Sequence, residues 1–270
     1  MENYLPFEDD NKSGSEQIFV LSIVCSLSID FDSFRPLLKE TKKETDFTEL
    51  NVYKNEQNDY LFSIHIGKNN SYTGRLFVSS CFRRAELQLN GSEQEQYTTF
   101  NYAVMLTYLL ATIQKDTLLM HASVISNGGN GYLFMGKSGT GKTTHSSLWR
   151  QYVPDTQLIN DDNPVVRIID GQATVFGSPW SGKTPCYRNV SAPIGGFIRL
   201  RQAKENHISH QNSIESYASL FASSSGIPWD TQLAEGKNCT LQKLISQVSC
   251  WLLDCLPNKA AALLCAETVK

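Results

Sequence analysis

The sequence predicts an α/β protein in two parts. A small β-rich domain over residues 1–115 precedes a domain of mixed sheet and helices over 116–270. Three observations lead there. Between residues 17 and 90, short apolar segments alternate with polar turns. "TTFNYAVMLTYLLATIQKD", residues 98–116, is apolar on a helical period and holds no Gly or Pro. "YLFMGKSGTGKTTHSSLWRQY", residues 132–152, reads as strand, glycine-rich loop and helix.

In chain order, "QIFVLSIVCSLSID" is apolar and β-branched, which predicts a strand over 17–30. The first sixteen residues are acidic and polar and are expected to fray. "SFRPLLKETKK" is expected to hold a short helix. "NVYKNEQNDYLFSIHIG" gives two strands around a polar turn, and "TGRLFVSS" and "AELQLN" give two more. The long helix follows, and the domain boundary is placed near its end. Next, "TLLMHASVIS" and "YLFMG" form a hairpin around "NGGNG". "TQLIN" is a strand ending in two acids. "PVVRII" and "ATVFG" flank an Asp-Gly turn, a strong hairpin signal. "GGFIRL" is a further strand. From Ser213 onward helices are expected, with Pro257 separating "LQKLISQVSCWLLDCL" from "KAAALLCAETV".

Composition narrows the function classes. The chain has 270 residues, 41% hydrophobic and 19% charged, as expected of a water-soluble globular protein. Its net charge of −3 gives no global pull toward nucleic acid or an anionic membrane. The longest apolar run near the N-terminus, "IFVLSIVCSL", is too short to span a bilayer. Seven cysteines at irregular spacing, without C-x-x-C, argue against a disulfide framework or zinc site and for reduced thiols in a cytoplasm.

Two stretches match G-x-x-x-x-G-K-[ST]: "GKSGTGKT" at 136–143 and "GSPWSGKT" at 177–184. A phosphate loop needs converging backbone N–H groups, a helix starting at the loop, and glycines that let main chain approach the oxygens. The first match has a strand before it and a helix after it. The second carries Pro179, which removes a donor, and Trp180, which is bulky where backbone should approach phosphate. Pro185 follows at once, and "CYRNVSAP" is a poor helix. The residues expected to hold nucleotide are therefore Gly136, Lys137, Ser138, Gly139, Thr140, Gly141, Lys142, Thr143 and Thr144. Lys142 would reach the β and γ phosphates and Thr143 would ligate Mg²⁺.

Asp161 and Asp162 close the strand after the loop helix. Phosphoryl transfer needs an acid at the metal and often another for the acceptor proton, and adjacent acids supply both. Read alone, "DDNP" is an Asx-type turn with both acids solvated. His121 lies on the strand before the loop strand, either as a core histidine or as a metal ligand or proton relay beside the pocket. His145 either flanks the site or faces solvent. Lys183 and Arg188, in "GSPWSGKTPCYRN", either stabilise transferred charge or form an exposed basic loop.

"MHASVISNGGNGYLFMGKSGTGKTTH" followed by "LINDDNP" resembles the nucleotide site shared by HPr kinase/phosphorylase and the ATP-dependent PEP carboxykinases. The resemblance covers about residues 117–200 and implies a PEP carboxykinase-like, HPr kinase C-terminal-like P-loop domain. It implies ATP and Mg²⁺, with Thr143 and Asp162 at the metal, a second divalent ion near His121, and Asp161 as the base toward a serine. The two families divide the acids' roles differently. Further substrate-binding Lys and Arg motifs of carboxykinases are not found, and neither is the HPr-specific segment after the acids. The expectation is an ATP-dependent kinase acting on a hydroxyl, on serine of a protein, peptide or small molecule, with a nucleotide-binding sensor or a simple NTPase as alternatives. HPr kinases form oligomers, which the resemblance extends here to a homo-oligomer.

Overall fold

The computed structural model describes residues 2–9, 17–39, 48–67, 71–182 and 184–270. The chain divides into two units, Ser13–Thr112 with Ile227–Thr231, and Met1–Lys12 with Ile113–Gly226 and Gln232–Lys270. Its class is mixed α/β, with two mixed sheets and five α-helices among the described residues.

The first unit is a six-stranded sheet and one helix. Strands β2 (Arg35–Lys39), β3 (Thr48–Lys54), β4 (Tyr60–Ile66), β5 (Gly74–Val78) and β6 (Arg84–Leu89) form an antiparallel meander, and β1 (Val20–Val24) runs parallel to β6 at the edge. Period-2 alternation aims Phe62, Ile64, Leu76, Val78, Ala85 and Leu87 inward, each fully or almost fully buried. Helix α1 (Glu93–Thr112) lies on β4, β5 and β6. Ser92 caps it reciprocally with Glu95: the Ser92 N–H donates to Glu95 Oε2 (2.9 Å) and the Glu95 N–H to Ser92 Oγ (3.4 Å). A Cβ at Gly74 would sit 2.5 Å from Thr99 Cγ2, so glycine permits this close approach of helix to strand. On the opposite face Leu27 and Phe34 cover Leu61 and Phe77.

The second unit is a nine-stranded sheet with helices on both faces. One run of strands is β10 (Gln157–Asp162), β8 (Ala122–Asn127), β9 (Asn130–Met135) and β13 (Ser191–Gln202); β15 (Cys250–Cys255) and β14 (His207–His210) extend it beyond β13. β9, β13 and β15 are parallel. The start of β13 pairs instead with β12 (Gln172–Phe176), which continues to β11 (Val165–Ile169) and β7 (Thr117–Leu119). A register shift between Ile194 and Gly196 falls where β13 changes partners. Gly195 is needed there, because a Cβ would lie 2.8 Å from the Tyr132 ring.

Both faces of this sheet are covered, which is why β9 is an almost continuous buried apolar run. Trp149 of α2 (Lys142–Tyr152) and Ala262 and Cys265 of α5 (Lys259–Val269) cover Phe134, Ile198 and Leu253. On the other face, Leu220 of α3 (Ser213–Ser223) and Leu241 and Leu244 of α4 (Thr231–Gln247) meet Leu133, Met135 and Phe197. Among the described residues no helix is long and apolar enough to cross a membrane.

Several expectations are corrected. The helix expected over 241–256 ends at Gln247, and Cys250–Cys255 is a strand. A short apolar run has no period of its own, and a parallel place beside β13 decides it. "SFRPLLKETKK" gives a 3-10 turn at Phe31–Ser33 and then β2, since Pro36 removes a helix donor; its last four residues lie outside the described residues. The strand expected over 17–30 is confined to Val20–Val24. The N-terminus is not frayed throughout: Asn3 is buried, its Nδ2 donates to the Pro179 carbonyl (3.1 Å), and Trp180 Nε1 donates to Tyr4 Oη (3.3 Å).

Candidate functional site

The site grows from the end of β9. Buried Leu133, Phe134 and Met135 anchor the strand, and the chain then leaves the sheet at Gly136. The Thr140 N–H and hydroxyl both return to the Lys137 carbonyl, at 3.1 and 2.7 Å, closing a tight turn. Gly139 (φ +79°) and Gly141 (φ +106°) take the left-handed conformations that L side chains resist. Gly141 is also the N-cap of α2, and its carbonyl accepts the His145 N–H at 2.9 Å. The N–H groups of Lys142, Thr143 and Thr144 therefore have no partner inside the helix and add their dipoles at the loop.

Lys142 folds back over this loop, its Nζ donating to the Gly136 carbonyl at 3.0 Å. Burial lowers its pKa, while Asp162 and Asp161 oppose that shift. From the same first turn, Thr143 Oγ1 donates to Asp161 Oδ1 at 3.0 Å. The acids arrive by sheet register: β10 runs antiparallel to β8, with Asp161 opposite Ser123 and Asp162 opposite Ala122. That places them beside His121, the residue before β8. His121 is held by its N–H to the Ser223 carbonyl (2.6 Å), and its Nε2 lies 3.6 Å from Asp162 Oδ1.

Distance alone would make His121 and Asp162 an ion pair, but their electrostatics disagree. Burial, and then Lys142, push the His121 pKa below its ordinary value against the pull of Asp162. Burial raises the Asp162 pKa against His121 and Lys142, and Asp161 raises it further. Burial thus disfavours the charged form of each group, and 3.6 Å is beyond a hydrogen bond, so the two do not form a close ion pair. Asp161 is only 4% exposed, and its backbone carbonyl accepts the Gly182 N–H at 2.7 Å.

His121, Ser138, Lys142, Thr143, Asp161 and Asp162 line one cavity of about 460 Å3, with Gly139, Gly141, Thr144 and Gly182 completing it. The remaining loop residues Gly136, Lys137 and Thr140 line an adjoining groove with Arg199 and Arg201. Among the described residues, no group of three or more His, Cys, Asp or Glu side chains is arranged to hold a metal ion. The Thr143 hydroxyl and the two carboxylates beside the glycine loop are oxygen donors of the kind Mg²⁺ takes, with its other ligands drawn from phosphates and water.

Two expected residues are placed elsewhere. Arg188 does not line the cavity. Its guanidinium donates to the Leu158 carbonyl (2.6 Å) and to Gln157 Oε1 (3.3 Å), at the start of β10 where a register shift interrupts the ladder. His145 neither flanks this cavity nor faces solvent. It is 3% exposed, its Nε2 accepts from Trp149 Nε1 (3.1 Å), and burial lowers its pKa to about 4. Lys183 lies outside the described residues.

The second motif match has a structural explanation. Residues 184–190 carry no regular structure, so no helix follows it. Several of its described donors are spent on the protein: the Gly177 N–H on the Val190 carbonyl (2.9 Å), the Gly182 N–H on the Asp161 carbonyl, and Ser178 Oγ on the Asn163 carbonyl (2.6 Å). A Cβ at Gly177 would stand 2.0 Å from the Arg188 carbonyl oxygen, and one at Gly182 would stand 3.0 Å from the Asp161 carbonyl oxygen. Close backbone contact requires glycine at 177, and at 182 it leaves a side chain little room. This loop backs the acids.

Sequence reasoning missed Arg199 and Gln202. Gln202 Nε2 donates to the Gly139 carbonyl at 3.2 Å, bracing the loop from β13. Only the long-range pairing of β13 with β9 brings them there, and no local pattern carries that pairing.

No protein-family model matches this sequence, and no curated protein matches it.

Proposed function

We propose that this chain is an ATP-dependent phosphotransferase on a PEP carboxykinase-like P-loop fold, acting on a hydroxyl, with serine of a protein, peptide or small molecule as acceptor. The observation that carries the reading is the Thr143–Asp161 hydrogen bond at 3.0 Å, which joins the first turn of the loop helix to a paired-acid strand end inside one cavity. A glycine turn of purely structural origin has no need of that link.

In this reading the α2 N-terminus and Lys142 bind the β and γ phosphates. Thr143 and the acid pair provide oxygen ligands for Mg²⁺, which when bound offsets phosphate charge. One acid accepts the acceptor's proton as its oxygen bonds to the γ-phosphorus. The bond from that phosphorus to the β–γ bridging oxygen breaks, and ADP leaves. Asp161 stands with Thr143 and Asp162 with His121, so the acids are not equivalent. The family resemblance assigns the base role to Asp161 and a metal position to Asp162. In this reading His121 orients Asp162 or would ligate a second divalent ion.

One observation favours a second reading, a nucleotide sensor or slow NTPase. With Arg188 tied to Leu158, Lys142 is the only Lys or Arg among the described residues lining the cavity. Incubation with ATP labelled in the γ-phosphate, with and without cell lysate, separates these readings. Label on a protein or small molecule supports the kinase. Release as inorganic phosphate supports the NTPase, and binding without turnover supports the sensor.

A further inference from the structure

Lys237 of α4 is only 6% exposed, and among the described residues it meets no carboxylate. A buried ammonium without an anion has to spend its donors on neutral acceptors. Lys237 Nζ donates to the Phe221 carbonyl (3.0 Å) and to the Ser224 carbonyl (2.9 Å). It also stands over the Phe221 ring, 4.0 Å from the centroid. Phe221 lies in the last turn of α3 and Ser224 is its C-cap. Carbonyls there have no partner inside the helix, and the helix dipole favours a cation. Gly226 leaves the ammonium its place, since a Cβ there would stand 3.0 Å from Lys237 Cδ and 3.2 Å from Nζ.

These contacts would make a helix cap and nothing more if the capped segment had no further task. It has one. The Ser223 carbonyl accepts the His121 N–H at 2.6 Å, and the Ser225 N–H donates to the Leu119 carbonyl at 2.9 Å. Between them Ser224 faces Met120 in an antiparallel bridge. Residues 223–225 thus pair with the chain leaving β7. On its other side the Met120 N–H donates to the Pro164 carbonyl at 3.0 Å, two residues beyond Asp162. His121 reaches Asp162 from a backbone that this segment holds, and Phe221 and Ser224, the two residues Lys237 grips, flank Ser223 in the chain.

We propose that Lys237 is a positioning residue for the acids' cavity: by fixing Phe221–Ser224 it fixes His121 beside Asp162. Lys237 is not in the lining of that cavity and acts only through the segment. Its effect on turnover rests on the phosphotransferase reading, whereas its effect on His121 rests on the contacts alone.

The test is Lys237→Met, which keeps the length of the side chain and removes the ammonium. Native-state hydrogen exchange of the full chain, read by NMR, compares the His121 amide with the Leu133 amide in the middle of β9. A general loss of stability speeds both together, so their ratio reports the clamp. The variant is expected to raise that ratio at least about tenfold, the scale of a lost charge-assisted hydrogen bond. Its kcat for transfer is expected to fall at least about tenfold while Mg²⁺-ATP affinity stays within about threefold of wild type. An unchanged ratio overturns the proposal, and so does a raised ratio with unchanged kcat. A wild-type chain that transfers no phosphate overturns the phosphotransferase reading instead, and the exchange ratio still decides whether Lys237 sets His121. If Lys237→Met does not fold, Gly226→Ala crowds the same ammonium, and it is expected to raise the ratio at least about threefold. No rise in that variant overturns the clamp.

Discussion

Thr143 Oγ1 and Asp161 Oδ1 are 3.0 Å apart, although eighteen positions separate the residues in sequence. The bond ties the first turn of α2 to the last turn-ward residues of β10, and so fixes the acids relative to the loop. Asp161→Asn keeps the shape and removes the charge. It is expected to lower phosphoryl transfer at least about a hundredfold, the scale of general-base loss, while nucleotide affinity changes less than about tenfold. Single-turnover transfer and equilibrium binding, measured side by side, check this. Transfer unchanged in Asp161→Asn and abolished in Asp162→Asn would reassign the base to Asp162.

Lys142 donates to the Gly136 carbonyl and is half-buried beside the acids. In Lys142→Met the charge is lost and the loop is expected to keep its main-chain turn. Affinity for Mg²⁺-ATP should fall by about ten- to a hundredfold, the size of a lost charge-assisted hydrogen bond. Calorimetric titration measures it, with circular dichroism to confirm that the fold persists.

Arg188 lies apart from the acids' cavity. Its guanidinium serves the Leu158 carbonyl at 2.6 Å, outside the cavity. Arg188→Ala is expected to lower stability by about 1.5–3 kcal/mol, the range for hydrogen bonds to charged groups. Urea unfolding reads that loss. A variant of unchanged stability with abolished transfer would return the arginine to the chemistry.

Gly177 has no room for a side chain, since its Cβ would meet the Arg188 carbonyl oxygen at 2.0 Å. Gly177→Ala is expected to cost about 3 kcal/mol, the upper end of the overpacking range, because the atom it meets is backbone. Gly171, with open space but φ +80°, serves as the comparison, and Gly171→Ala should cost about 1 kcal/mol from backbone strain alone. Thermal unfolding of the two variants checks the order.

His145 makes the second unit sensitive to acid. Its pKa falls from 6.5 to about 4 by burial. Above pH 6.5 both folded and unfolded chains hold it neutral, and it adds no pH dependence. Below 6.5 the unfolded chain takes up a proton that the folded chain refuses until about pH 4. Stability is therefore lost as pH falls through that window, by about 3 kcal/mol in full. Urea unfolding at pH 7 and pH 4.5 should show a smaller difference in His145→Asn than in wild type.

Local spacing made part of this readable. The loop 136–143, its strand and its helix are contiguous in sequence, and so are the hairpins around Gly128–Gly129 and Asp170–Gly171. The acids were legible for the same reason, because they end a strand with a clear apolar pattern. Non-local contacts hid the rest. β15 is a strand because β13 and β14 flank it. No local pattern shows that Arg188 donates to the Leu158 carbonyl. The second motif match satisfies the pattern with a glycine, Gly177, that a close backbone contact requires.

The most direct measurement is a crystal structure of the chain with a non-hydrolysable ATP analogue and Mg²⁺. The account expects the γ-phosphate within about 3 Å of Lys142 Nζ, a hydrogen-bond distance, and on the same side of the loop as Asp161 and Asp162. A triphosphate bound away from Gly136–Thr143, or one met there with both carboxylates turned from it, would contradict the account.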